Sequence, residues 1–211
     1  AGAFKFRGAC NRVFSLNDSD ARHGVATHSS GNHGAALAFA AAVRKIPCTV
    51  VMPTDAPAVK HEAVAGYGAT IERCGQHERD ETAARVCDET GGILIHPFED
   101  PRVIAGQGTV TLELLEDAAP LDAVITPVGG GGLLSGAAIT AAALSPTTDV
   151  LGAEPALVDL APVRAAEGEA PVLEVVDRAD RVLRQQQRGV GDRVARARLC
   201  AKHGQQHGRP G

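Results

Sequence analysis

Short apolar, β-branched runs alternate along the chain with longer stretches of helical periodicity, and glycine or proline stands at most of the changeovers. Residues 24–29 read as a strand running into a polar loop, and 32–45 as an alanine-rich helix. Residues 48–52 form a β-branched run stopped by Pro53, and 57–66 suit a helix with proline in its first turn. Residues 70–74 predict a strand, 80–89 a helix stopped by Gly91 and Gly92, and 93–95 a strand ending at Pro97. The spacing then predicts a longer helix over 101–116, an apolar strand over 123–128, a helix over 133–144 and a last strand over 150–153. A further helix fits 173–183, with no strand beyond it. Strands separated by helices imply βαβ units and a parallel sheet. Ligands of such sheets sit at the carboxyl ends of the strands. After about Asp159 the chain turns arginine- and glutamine-rich, and its end reads as a poorly ordered tail.

Composition sharpens this α/β reading. The 211 residues are 44% apolar and 22% charged, with a net charge of −4. Such a balance gives no reason to expect nucleic acid or an anionic membrane as a partner. With only 3% aromatic residues, alanine, valine, leucine and glycine must build the core, which suits helices packed closely on a sheet. No apolar run is long enough to span a bilayer and nothing resembles a signal peptide, so a cytoplasmic protein is the default expectation. Cys10, Cys48, Cys74, Cys87 and Cys200 are scattered without a CxxC pair and read as reduced thiols. The chain opens Ala-Gly-Ala-Phe-Lys without methionine, as a piece of something longer would.

Three segments carry chemistry. Val128-Gly129-Gly130-Gly131-Gly132-Leu133 follows an apolar strand and precedes a helix. Four glycines bare their backbone N–H groups there, and a helix start adds partial positive charge, which makes a phosphate cradle or, in the plainer reading, a flexible loop. Thr27-His28-Ser29-Ser30-Gly31-Asn32-His33-Gly34 is a second strand-to-helix turn. One of its serines could serve only as a helix cap, but the whole polar set suits a carboxylate or a cofactor oxygen. Lys5 lies between Phe4 and Phe6. It is either a surface lysine whose neighbours pack inward or a desolvated amine of depressed pKa, able to form a Schiff base.

In this order, a lysine in F-K-x-R-G-A, then S-S-G-N-H-G, then a G-G-G-G loop resembles the fold-type II pyridoxal-phosphate (PLP) enzymes of the serine racemase and serine/threonine dehydratase (ammonia-lyase) branch. Val51-Met52-Pro53, Tyr67-Gly68-Ala69-Thr70, His96-Pro97-Phe98, the run from Ile104 to Thr109, and Gly152-Ala153-Glu154-Pro155 agree with it. The resemblance covers residues 1 to about 159. It implies a two-domain, three-layer α/β fold of the tryptophan synthase β-subunit-like PLP type, truncated at the N-terminus. Residues 24–100 would form a small domain, 1–23 with 101–159 part of a large PLP-binding domain, and 160–211 an atypical tail.

The resemblance further implies that Lys5 carries PLP covalently and removes the substrate's α-proton. Gly129, Gly130, Gly131, Gly132 and Leu133 would hold the phosphate, and Asn32 the ring hydroxyl. Ser29, Ser30, Asn32 and His33 would surround the substrate carboxylate. Ser30 matches the racemase's acid/base for the opposite face, where many threonine dehydratases carry alanine. Glu154 and Asp159 match a Mg2+ or other divalent-cation site, short of one acidic ligand. The implied activity is dehydration of L-serine or L-threonine, a small hydroxy amino acid, to a 2-keto acid and ammonia, in a homodimer when complete. Racemisation is the alternative. An inactive remnant, and a nucleotide-binding α/β module built on the glycine loop, are the other readings. No acidic residue suited to a ribose follows that loop, which weighs against the module.

Overall fold

A computed structural model describes residues 2–155 and 173–176, with side chains described through residue 153. The chain begins with a helix, α1 (Lys5–Phe14), and a single turn, α2 (Asp18–Ala21). Four strands follow: β1 (Val25–His28), β2 (Cys48–Pro53), β3 (Thr70–Cys74) and β4 (Ile93–Leu94). Between them run α3 (Asn32–Arg44), α4 (Ala58–Ala65) and α5 (Arg79–Thr90). The four strands form one parallel sheet in the order β3-β2-β1-β4.

Alternation along these strands fixes the layers. Val25, Val50 and Met52 point into one apolar cluster with α3, Val64 of α4 and Ala9 and Val13 of α1. Ala26 and Val51 point the other way, onto Ala83 and Val86 of α5. The sheet is therefore covered on both faces, which is why its central strands are apolar throughout rather than alternating. Two left-handed residues stop helices here, Lys45 after α3 (φ 61°) and Gly91 after α5 (φ 72°).

The chain continues through α6 (Pro101–Ala118), β5 (Ala123–Pro127), α7 (Gly132–Leu144), β6 (Asp149–Pro155) and β7 (Leu173–Val176). β5 and β6 are parallel, and β7 joins β6 antiparallel. The helix expected from 173 is thus a strand over its first four residues: Leu173–Val176 finds its partner in β6, and a long-range ladder overrides local spacing. The tail beyond Val176 and the Asp159 expectation lie outside the described residues.

Helix α6 is the spine. Asp100 caps it, accepting from the N–H of Arg102 (2.8 Å) and Val103 (3.3 Å), with Pro101 opening its first turn. On one side α6 crosses α1 backbone to backbone. A Cβ added to Gly106 would lie 2.6 Å from both Gly8 Cα and Arg7 O. On another side Gly108 meets Gly136 of α7, where a Cβ on Gly136 would lie 2.6 Å from Gly108 N. Arg12 and Asp100 (2.7 Å), and Arg7 and Glu113 (2.6 Å), tie α1 to α6. α1, whose helical content had no counterpart in the sequence reading, therefore packs between α3 and α6 and carries Lys5 at its first turn.

Among the described residues no helix is long and apolar enough to cross a membrane. Cys48 and Cys74 are buried free thiols, Cys10 and Cys87 half-buried free thiols, and Cys200 lies outside the described residues.

Candidate active site

The carboxyl ends of β1 and β4 and the N-termini of α1, α3 and α5 enclose a cleft of about 590 Å³. Lys5, Ser29, Ser30, Asn32 and His33 line it together with His28, Arg79, Asp80, His96 and Phe98. Lys5 and the serine loop, with the rest of α1, α2 and β1 between them in sequence, thus share one cavity at the strand ends, where a parallel sheet places its ligands.

Lys5 is half-buried, and its Nζ donates to the carbonyl of Pro97 (2.8 Å). The amine also sits 5.3 Å from the Phe4 ring centroid and 6.0 Å from that of Phe98. Burial lowers its pKa below the ordinary lysine value, because an ammonium loses more on leaving water than a neutral amine does. Of the two readings of a lysine flanked by phenylalanines, the geometry matches the desolvated amine. Phe6 turns away to stack on Phe39, at 4.9 Å between ring centres.

The serine loop is shaped by its backbone. Ser29 N–H donates to Val51 O (3.1 Å), continuing the ladder, and Ser29 Oγ accepts from Gly31 N–H (3.3 Å). Neither serine caps α3: Gly31 is the N-cap and no side chain takes that role. The first turn of α3 thus has no side-chain cap, and its Asn32 and His33 line the cleft. Gly34 lets the loop sit close, since a Cβ there would meet Ser29 O at 2.8 Å and Val50 Cγ1 at 2.9 Å.

His33 lines the cleft but is 2% exposed. Its Nε2 faces the Ile95 carbonyl at 3.3 Å, so Nε2 carries the proton and Nδ1 is an acceptor, with no partner of its own. Burial first, then the Lys5 charge, pushes its pKa down to about 4. His33 is therefore neutral at physiological pH and brings no positive charge to a carboxylate.

The glycine loop adjoins the cleft through Phe98. A Cβ on Gly130 would lie 2.2 Å from Phe98 Cδ1, and one on Gly132 3.1 Å from Phe98 Cβ. Gly131 is left-handed (φ 80°) and is the N-cap of α7, again without a side-chain cap. A Cβ on Gly129 meets nothing within 4 Å. Such a loop offers bare backbone where side chains would block or strain it, with a helix start behind it. Leu133 is half-buried in the first turn of α7.

Sequence reasoning gave no role to four lining residues with titratable side chains, His28, Arg79, Asp80 and His96. His28 Nδ1 pairs with Asp80 at 3.3 Å, and its ring meets His96 edge-on at 5.3 Å. Arg79 Nε donates to Gln76 O (3.0 Å) at the start of α5. His96 Nδ1 accepts from the N–H of Phe98 and of Glu99. Their one signal was that His28 stands within the Thr27–Gly34 segment and His96 opens the His96-Pro97-Phe98 stretch. Of the expected cation ligands, Glu154 lies in β6 with its side chain outside the description, and Asp159 lies outside the described residues. No group of three or more potential metal ligands occurs among the described residues.

Fold and site together define an α/β protein that presents a desolvated lysine amine beside two strand-to-helix turns without side-chain caps. The family model described as "Pyridoxal-phosphate dependent enzyme" matches residues 1–202, and the chain belongs to that family. It is 54% identical over 160 residues to β-hydroxyaspartate dehydratase of Paracoccus denitrificans, covering 75% of this chain and 51% of that protein. The crystal structure of serine racemase from Dictyostelium discoideum superposes with a TM-score of 0.71 at 54% identity, over 73% of this chain and 51% of that one. The processed form of threonine deaminase isoform 2 from Solanum lycopersicum gives 0.68 at 36% identity, over 71% and 42%. The chain thus spans about half the length of the curated relatives it matches. These neighbours share the fold-type II, tryptophan synthase β-like architecture, and the parallel sheet described above is part of it.

The site's residues fit the cofactor. Lys5 would hold its aldehyde carbon, Asn32 its ring hydroxyl, and the N–H groups of 129–133 its phosphate. The lysine's pKa is lowered, a Cβ at 130 would overlap Phe98, and the left-handed backbone at Gly131 disfavours any side chain there.

Proposed function

We propose that this chain carries the PLP-binding machinery of a lyase that dehydrates a small hydroxy amino acid, L-serine or L-threonine, to a 2-keto acid and ammonia. The observation that carries the reading is the shared cleft: the desolvated Lys5 amine and the donor-rich serine loop line one cavity. When bound, PLP supplies the electron sink for negative charge developing at the substrate's α-carbon. The chain's own residues do the rest. Lys5 Nζ, its pKa lowered by burial, accepts the α-proton. The backbone donors of 29–33 and the uncapped start of α3 hold the α-carboxylate, leaving the β-hydroxyl as leaving group. Water balances: one molecule leaves with the hydroxyl, and one returns when the released enamine hydrolyses to keto acid and ammonia.

A second reading is racemisation, in which Ser30 Oγ returns a proton to the α-carbon from the other face. It is supported by a hydroxyl at this cleft position and by the resemblance to serine racemases.

The test loads the 211-residue chain with PLP. A visible imine band that borohydride bleaches, with the label on Lys5 by peptide mass mapping, is the first expected result. Keto acid from L-serine or L-threonine supports the lyase; α-proton exchange and D-serine without keto acid support the racemase. An imine without turnover reduces the function to cofactor binding, and no imine at Lys5 refutes both.

A further inference from the structure

His96 stands where the lysine, the glycine loop and the turn between them meet. Its Nδ1 accepts the N–H of Phe98 (3.4 Å) and of Glu99 (3.0 Å). Phe98 N–H belongs to the same planar peptide unit as the Pro97 carbonyl, which receives Lys5 Nζ at 2.8 Å. One imidazole nitrogen therefore holds one end of a rigid plate, and the lysine amine sits on the other. The next side chain, Phe98, meets the His96 ring edge-on at 4.6 Å and packs on Gly130 and Gly132. Moving this turn moves the amine's resting partner and the wall of the phosphate cradle together.

We propose that His96, through an unprotonated Nδ1, is a positioning residue that sets Lys5 and the glycine loop relative to each other. The inference rests on the cofactor reading above, and concerns how the chain's own residues meet that cofactor. An acceptor is what the geometry demands, since both neighbours are N–H donors. The proton then lies on Nε2, which faces Glu99 Oε2 at 3.7 Å. His28, Lys5, Asp80 and Glu99 are the titratable groups that bear on it. Burial is the largest influence and keeps the imidazole below its ordinary pKa, so Nδ1 remains an acceptor at neutral pH.

Two variants separate this role from mere packing. His96→Leu keeps bulk and removes the acceptor, whereas His96→Asn supplies an amide oxygen at similar reach, as asparagine does when it caps turns. PLP affinity is read by titrating the imine band of the whole chain, and the label at Lys5 by borohydride trapping. The expected result is a loss of about tenfold in affinity for the leucine variant, the equivalent of one such hydrogen bond, with the asparagine variant within about threefold of the parent. Equal affinity of His96→Leu and the parent overturns the proposal, as does an asparagine variant no better than leucine.

A third measurement needs neither cofactor nor variant. The 15N shifts of His96 in the unliganded chain report which nitrogen is bare, and a protonated Nδ1 overturns the proposal outright. If the parent forms no imine, the cofactor reading fails, and a bare Nδ1 then supports only the geometry of the turn.

Discussion

Gly106→Ala sets two opposing effects against each other. Alanine favours a helix interior over glycine by about 1 kcal/mol. At this position its Cβ would stand 2.6 Å from Gly8 Cα and Arg7 O and 2.9 Å from Arg7 C, all backbone atoms of α1. No rotamer relieves such contacts. Regaining the usual separation of heavy atoms needs α1 and α6 to part by about 1 Å. α6 has no room to retreat, because its Gly108 lies against Gly136 of α7 and a Cβ on Gly136 would already overlap Gly108 N at 2.6 Å. So α1 must move, and with it Lys5. Overpacking of this kind costs about 1 to 3 kcal/mol, more than the propensity gain over most of that range. We expect a net loss of about 1 kcal/mol in urea unfolding and a weaker imine band at equal PLP. Gly129→Ala, whose Cβ meets nothing within 4 Å, serves as the comparison and should leave the urea midpoint of the cofactor-free chain unchanged. A Gly106→Ala chain as stable as the parent, with its full imine band, would show that the crossing is not tight and that α1 is not placed by it.

Two other outcomes follow from single side chains. Asp100 both caps α6 and pairs with Arg12, so Asp100→Ala should cost about 2 kcal/mol in urea unfolding. Asp100→Asn should retain the cap and lose only the pair, and an asparagine variant as weak as alanine would assign the whole effect to charge. His33 has its folded pKa pushed down to about 4, against an ordinary 6.5. The unfolded chain then takes up the proton first, so His33 costs no stability above about pH 6.5 and up to about 3 kcal/mol as pH falls towards 4. His33→Gln should flatten the acid limb of stability against pH, and an unchanged slope would show that His33 is not neutral and buried as described.

The periodic part of the fold was legible. From α3 to β6 every element lies within a few residues of where apolar spacing put it, because glycine and proline mark the joints. Pro57 shows the usual slip, standing as N-cap of α4 rather than inside its first turn. What local spacing missed was held by distant partners. α1 has a glycine in its interior and a basic, polar outer face, and its place is set by α3 and α6 some tens of residues away. Residues 173–176 are a strand because β6 lies beside them. In the site, matched motifs brought Lys5 and the serine loop to one cleft, with the glycine loop beside it. The parts that were not legible depend on orientation. Nothing in the order His96-Pro97-Phe98 says which ring nitrogen accepts, nor does S-S-G-N-H say that its histidine is buried and neutral.

The uncapped helix starts have a consequence for how the site responds to pH. α1, α3 and α7 begin at the cleft or beside Phe98 at its wall, with no side-chain cap and no acidic residue in the first turn. The aligned peptide dipoles of three helices therefore end there unneutralised. Unlike an arginine clamp or a histidine, a peptide dipole has no proton to lose. The dipoles' share of the attraction on anions should stay constant for as long as the fold does, whatever the ionisation of the side chains that also line the cleft. Salt, rather than pH, is then what should weaken that share.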